Sequence, residues 1–109
     1  MADNASDVKE LADIRRLACD PSKVELTTTV KYDLMGAGLT KDDVCEEIVA
    51  HIDRGERVKK VTLRGSHAGQ VAYEMKPRIN NSLFYLKLTV CELGESDEYM
   101  LVISAHPDH

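Results

Sequence analysis

A chain of 109 residues and 12.2 kDa has room for one domain, residues 1–109, with a single modest core. Its 43% hydrophobic and 30% charged residues point to a globular protein rather than a disordered one. No apolar run approaches the ~20 residues a membrane-spanning helix needs, and residues 1–10 lack the basic and apolar regions of a signal peptide, so a cytoplasmic protein with no membrane partner is expected.

The net charge of −5 is unevenly laid out: residues 1–50 sum to −5, residues 51–90 to +5 and residues 91–109 to −5. A basic middle segment is what steers a phosphate-bearing ligand, whatever the charge of the whole molecule. The three cysteines, Cys19, Cys45 and Cys91, are widely separated and form no CxxC pair. They read as small core residues rather than as disulfides or zinc ligands, and neither a metal nor a cofactor is expected.

In chain order, Val8, Leu11, Ile14, Leu17 and Ala18 recur at spacings of three and four, which predicts an amphipathic helix over residues 6–18, capped by Asn4 or Ser6 and stopped ahead of Pro21. Residues 23–29 read either as a strand or as an extended linker. A short helix over 30–35 follows, capped by Thr28 or Thr29 and broken by Gly36 and Gly38. The next helix begins at Thr40, where Asp43 three residues on suggests a capping box; Val44, Cys45, Ile48, Val49 and Ile52 form its buried stripe and Gly55 its stop.

Beyond Gly55 the period changes from 3.6 to 2. Residues 57–64 place Val61 and Leu63 inward and Lys60, Thr62 and Arg64 outward. After a turn over 65–69, residues 70–76 place Val71, Tyr73 and Met75 inward and Gln70, Ala72 and Glu74 outward. A loop over 77–82 leads to the most regular strand, 83–90, with Phe84, Leu86, Leu88 and Val90 on one face and Tyr85, Lys87 and Thr89 on the other. In the last strand Tyr99, Leu101, Ile103 and Ala105 are expected inward, and Met100, Val102, Ser104 and His106 outward. Helices first and strands afterwards give an α+β fold: N-terminal helices packed on one face of a four-stranded, mainly antiparallel sheet.

Parity then puts Lys60, Gln70, Tyr85, Lys87 and His106 on the uncovered face, from four different strands. Proton carriers and phosphate ligands without a metal cluster are what metal-free RNA cleavage needs: a base for the ribose 2′-hydroxyl, an acid for the leaving 5′-oxygen, and cations for the phosphorane. Histidine is suited to proton transfer because its ordinary pKa lies near 6.5. Tyr85 would donate or position, while Lys60, Lys87, Arg78 and Arg64 would hold phosphate oxygens.

The run MKPRINNSLFYLKLTV resembles the signature of the MqsR family of bacterial toxins, where an apolar-basic-Pro-Arg turn precedes an apolar strand containing Tyr-Leu-Lys and Thr-Val. The likeness extends from the helix before Gly55 to the last strand. It implies a RelE-like fold related to the microbial ribonucleases, mRNA endoribonuclease activity as the toxin of a type II toxin–antitoxin pair, and mRNA and a cognate antitoxin as partners. Carried over by position, the family's catalytic lysine falls on Lys60 and its tyrosine on Tyr85. Its glutamine falls on Ala72, with Gln70 one pleat away, and its terminal lysine is replaced by His106. The competing expectation is a non-catalytic protein-binding module acting by sheet-edge pairing.

Overall fold

The structure, a computed structural model, describes residues 8–63, 70–93 and 97–108. Their order is helix α1 (Val8–Ala18), a 3-10 turn (Pro21–Lys23), strand β1 (Val24–Leu26), helices α2 (Thr28–Ala37) and α3 (Lys41–Asp53), then strands β2 (Lys59–Thr62), β3 (Val71–Met75), β4 (Arg78–Ile79), β5 (Ser82–Leu93) and β6 (Asp97–Pro107).

Each helix is bounded by local chemistry. α1 buries Ile14, Leu17 and Ala18 and ends before Pro21; its expected caps, Asn4 and Ser6, lie outside the described residues. α2 is capped one residue earlier than expected, by Thr27, whose hydroxyl accepts from the Val30 amide at 3.2 Å. It also runs through Gly36 rather than breaking there. The stop is Gly38, at φ 73°, a left-handed conformation that glycine adopts without steric penalty. Thr40 and Asp43 close a reciprocal capping box at the start of α3, at 3.1 and 2.9 Å. Among the expected stripe residues of α3, Val44, Cys45 and Ile48 are fully buried and Val49 and Ile52 partly so; the helix also buries His51.

The sheet has six strands, not four, and it is mixed. Its order is β1-β6-β5-β3-β2, with β4 pairing β5 off that path. β1 resolves the open reading of residues 23–29: Val24, Glu25 and Leu26 pair in parallel with Met100, Leu101 and Val102. β4 turns the expected loop over 77–82 into a small hairpin, tightened by Asn80 and Asn81 at φ 53° and 66°. Asparagine tolerates that region better than other non-glycine residues. The predicted turn over 65–69 falls on residues outside the described ones.

One face of the sheet meets the helices. Val24, Tyr73, Met75, Leu86, Leu88, Met100, Val102 and Ala105 form a single core with the buried faces of α1, α2 and α3. The face parity expected of β3 and β5 holds, although Ala72 and Thr89 on the far face are buried rather than wet, and the parity expected of β2 and β6 does not. In β2 the ladder sets Lys60 opposite Tyr73 and Val61 opposite Ala72. Directly paired residues share a face, so Lys60 and Thr62 lie on the helix side and Val61 on the open side. The cause is Val58, buried just ahead of the strand: with apolar residues at 58 and 61, three apart, only one can point inward. In β6 a bulge intervenes. Leu88 pairs Val102 while Lys87 pairs Ser104, leaving Ile103 as the extra residue. Met100, Val102 and Ala105 all reach the core, Tyr99, Leu101 and Ile103 do not, and His106 keeps its outward direction.

Cys45 is a core residue whose thiol burial pushes up to about 11, and Cys91 is half-buried. Cys19, expected in the core, is instead exposed. Arg15 of α1 grips Asp53 of α3 with two bonds, Nε to Oδ1 at 2.7 Å and Nη2 to Oδ2 at 3.0 Å. That guanidinium holds the Asp53 carboxyl below the usual range. A lowered carboxyl pKa stabilises the fold above the ordinary aspartate value and loses that contribution as pH falls through the lowered one. Asp53→Asn is therefore expected to lower Tm at neutral pH, with the gap to the parent protein closing below roughly pH 4. Leu88→Ala, which empties the centre of β5, should cost about 2–5 kcal/mol in urea unfolding.

Candidate functional site

The face of the sheet turned away from the helices receives the second set of β5 side chains: Tyr85 and Lys87 are half-buried there and Thr89 is buried. Three registers build a site at one end of that face. Tyr85 lies opposite His106; Lys87 lies between Glu74 on one side and Ser104 on the other; Glu74 in turn faces Lys59. The Tyr85 and His106 rings sit 5.5 Å apart at a 39° tilt. The Tyr85 hydroxyl donates to Glu74 Oε2 at 2.7 Å, and Lys87 Nζ stands 3.8 Å from that same oxygen. His106 Nδ1 is 2.9 Å from the Pro107 carbonyl. A proton on that nitrogen makes the bond and leaves Nε2 for a ligand.

Partial burial and the neighbouring Glu74 carboxylate, with Asp108 beyond it, push the Tyr85 phenol far above its ordinary value. Tyr85 is therefore a neutral hydrogen-bond donor across the working pH range, not a phenolate base. The group able to take a proton here is Glu74. Its outward direction follows from parity, whereas the resemblance points to a glutamine on that strand and not to this carboxylate. The sign that identifies it is its cross-strand place, with a lysine beside it on β5.

Four of the seven expected site residues come near this cluster or bear on it: Tyr85, His106 and Lys87 within it, and Arg78 at its margin on β4. Lys60 does not. Its side chain passes over the helix face to Glu10 of α1, 2.7 Å away, and the same carboxylate oxygen accepts from the Tyr73 hydroxyl at 3.0 Å. That assembly ties an edge strand to a helix. Gln70 faces the open side as expected, but its amide donates to Thr89 Oγ1 at 3.2 Å and contacts Cys91 Sγ at 3.7 Å. Cys91 lies six positions along β5 from Tyr85, roughly 20 Å at strand spacing. Ala72, where the resemblance put the glutamine, is fully buried opposite Val61 of β2, and Thr89 of β5 is buried as well. Arg64 lies outside the described residues.

One concavity reaches the cluster at Glu74, and a second adjoins the first through Glu56 and Lys76. The first, of about 400 Å³, is lined by His51, Arg57, Lys59, Glu74 and Lys76, among others. The next, of about 630 Å³, is lined by Arg54, Lys76, Arg78, Asn80, Asn81 and Leu83, with Glu56 common to both. His51 is buried, its Nε2 within 2.8 Å of the Arg57 carbonyl and its Nδ1 3.2 Å from Glu56 Oε1 but off the line of a hydrogen bond. The helical spacing 44, 48, 51 would have placed it inward.

No family model matches the chain, and no match was found among curated proteins or among solved structures. Among the described residues no helix is long and apolar enough to cross a membrane.

Because Glu74 helps to keep the Tyr85 phenol protonated, Glu74→Gln should move its ionisation downward. The folded protein gains stability from that raised pKa below the ordinary tyrosine value and loses it as pH rises above about 10. Absorbance titration of the phenolate, with Tyr85→Phe to assign the step, reads the shift; an unmoved step would show that the bond to Glu74 is not its cause.

Proposed function

We propose that the protein is an endoribonuclease that cuts mRNA without a metal ion and acts as the toxin of a type II toxin–antitoxin pair. The observation that carries this reading is the grouping of Glu74, Tyr85, Lys87 and His106 on the sheet face turned away from the helices. It is supported by the basic charge of residues 51–90 and by the likeness of residues 75–90 to MqsR toxins.

The four side chains divide the chemistry among themselves. Glu74 takes the proton of the ribose 2′-hydroxyl, and that oxygen attacks the adjacent phosphorus. The bond from phosphorus to the 5′-oxygen breaks, and His106 gives a proton to the departing oxygen. The products are a 2′,3′-cyclic phosphate and a 5′-hydroxyl. Lys87 sits where it stabilises the charge gathered on the non-bridging oxygens. Tyr85 holds Glu74 by its hydrogen bond and packs against the His106 ring, so the base and the acid of this reading meet Tyr85 from opposite neighbouring strands. Lys60, anchored to α1, supports the sheet rather than the reaction.

The second reading, a protein-binding module, draws on β2: it ends the sheet, and its outer side pairs with no described strand. The two readings differ in what purified protein does to RNA. In EDTA the parent protein should cut an mRNA into fragments bearing cyclic phosphate ends, and His106→Ala and Glu74→Gln should each lower the rate about 10²- to 10⁴-fold. No cutting by the parent, or equal cutting by both variants, overturns the catalytic assignment. In cells, growth arrest relieved by co-expressing the adjacent gene supports the toxin role, whereas a harmless protein that co-purifies with a neighbour's product supports the module.

A further inference from the structure

The reacting cluster occupies one end of the sheet, and the charges around it are not symmetric. At the far end, Glu92 faces Glu98 across the β5–β6 ladder, beside Asp97 and close to Glu25. At the near end, the two concavities share Glu56 and Lys76 and so form one continuous groove, which starts at Glu74 and ends at the Asn80–Asn81 turn. Five cations line it, Arg54, Arg57, Lys59, Lys76 and Arg78, against the carboxylates of Glu56 and Glu74.

Both carboxylates are already engaged. Arg54 donates to Glu56 at 3.0 Å and holds its carboxyl below the usual range, and Glu74 accepts from Tyr85 and faces Lys87. Lys76 reaches Asp108 at 3.3 Å. Arg57, Lys59 and Arg78 make no ion pair among the described residues. The groove thus keeps three uncommitted cations, Arg57 and Lys59 on the segment entering β2 and Arg78 on β4.

We infer that this groove is a binding track for single-stranded RNA: Arg57, Lys59 and Arg78 take successive backbone phosphates beyond the one held at Glu74 and His106. The inference rests on the proposed ribonuclease reading for its direction, since the strand leaves the reacting cluster past Glu74. It does not rest on that reading for its chemistry. Uncommitted cations along an open trough suit an extended polyanion, because each phosphate it neutralises releases bound counterions. The amides of Asn80 and Asn81 offer donors and acceptors to base edges, and Leu83 offers apolar surface to a base face. At the far end Glu98 and Asp97 are paired with Arg16 and Lys23, while Glu25 and Glu92 make no ion pair among the described residues, so that end offers a polyanion no comparable row of uncommitted cations.

The test is fluorescence anisotropy with a 2′-O-methyl oligoribonucleotide, which lacks the attacking hydroxyl and reads binding without cleavage. The parent protein should bind it with an affinity that falls steeply with salt. The triple variant Arg57→Gln, Lys59→Gln, Arg78→Gln should bind more weakly, and its plot of log affinity against log salt should be shallower by about 2, three contacts at ~0.7 each. Circular dichroism and a thermal melt establish that the variant is folded, and each single variant should reduce the slope by roughly a third of that amount. An unchanged slope overturns the track, and so does tighter binding of an acidic peptide of equal length than of the RNA. Groove-dependent binding by a protein that cuts no RNA leaves the track standing and removes the ribonuclease reading, so the two failures are told apart.

Discussion

The pleat of β5 is the constraint on which the placing of the polar cluster depends. Leu86 and Leu88 are fully buried against the helices and Phe84 nearly so, and a strand cannot turn one set of side chains inward without turning the alternate set outward. Tyr85 and Lys87 therefore stand on the open face because their neighbours are held in the core. The core contributes stability, and as a by-product it fixes the direction of two polar groups to within the stiffness of a central strand. β3 on one side and β6 on the other extend the row, so that Glu74 and His106 meet Tyr85 from opposite strands. A site built on paired central strands is more rigid than one carried by loops.

The bulge at Ile103 is what reconciles this arrangement with the sequence of β6. Met100 and Val102 fill the core beside β1 and α2, and Ala105 fills it opposite Leu86. An unbroken alternation cannot bury both Val102 and Ala105, which are three positions apart. The extra residue changes the parity once, and His106 emerges on the open face as a result. Bulges commonly re-aim a side chain in this way near functional sites.

What was legible in the sequence follows the same physics. The helices were readable from their spacing and from Thr40 and Asp43, and β3 and β5 from strict alternation, because one face of each packs against the helices and the other does not. β2 and β6 were misread where apolar residues fall on both faces: Val58 and Val61 offer two parities, and Met100-Leu101-Val102-Ile103 is apolar throughout. That ambiguity moved Lys60 to the wrong side. Tyr85, Lys87 and His106 share a face as expected, while Glu74 was missed although its parity was right, since its partnership with Tyr85 and Lys87 depends on register, and register is not written in any one strand. β1 and β4 are too short for any period to show.

The parallel pairing of β1 with β6 sets an order on how the molecule can be made. Val24 finds its partner only in Met100, so during synthesis, at ~5–20 residues per second, the strand waits roughly 4–15 s for the segment that covers it. The three helices can associate in that interval, but their apolar faces have no sheet to rest on until β5 and β6 emerge. The face turned away from the helices and its polar cluster come into existence last, together with the edge that closes the fold. Until β6 emerges, the nascent chain therefore carries exposed apolar surface and has no assembled polar cluster.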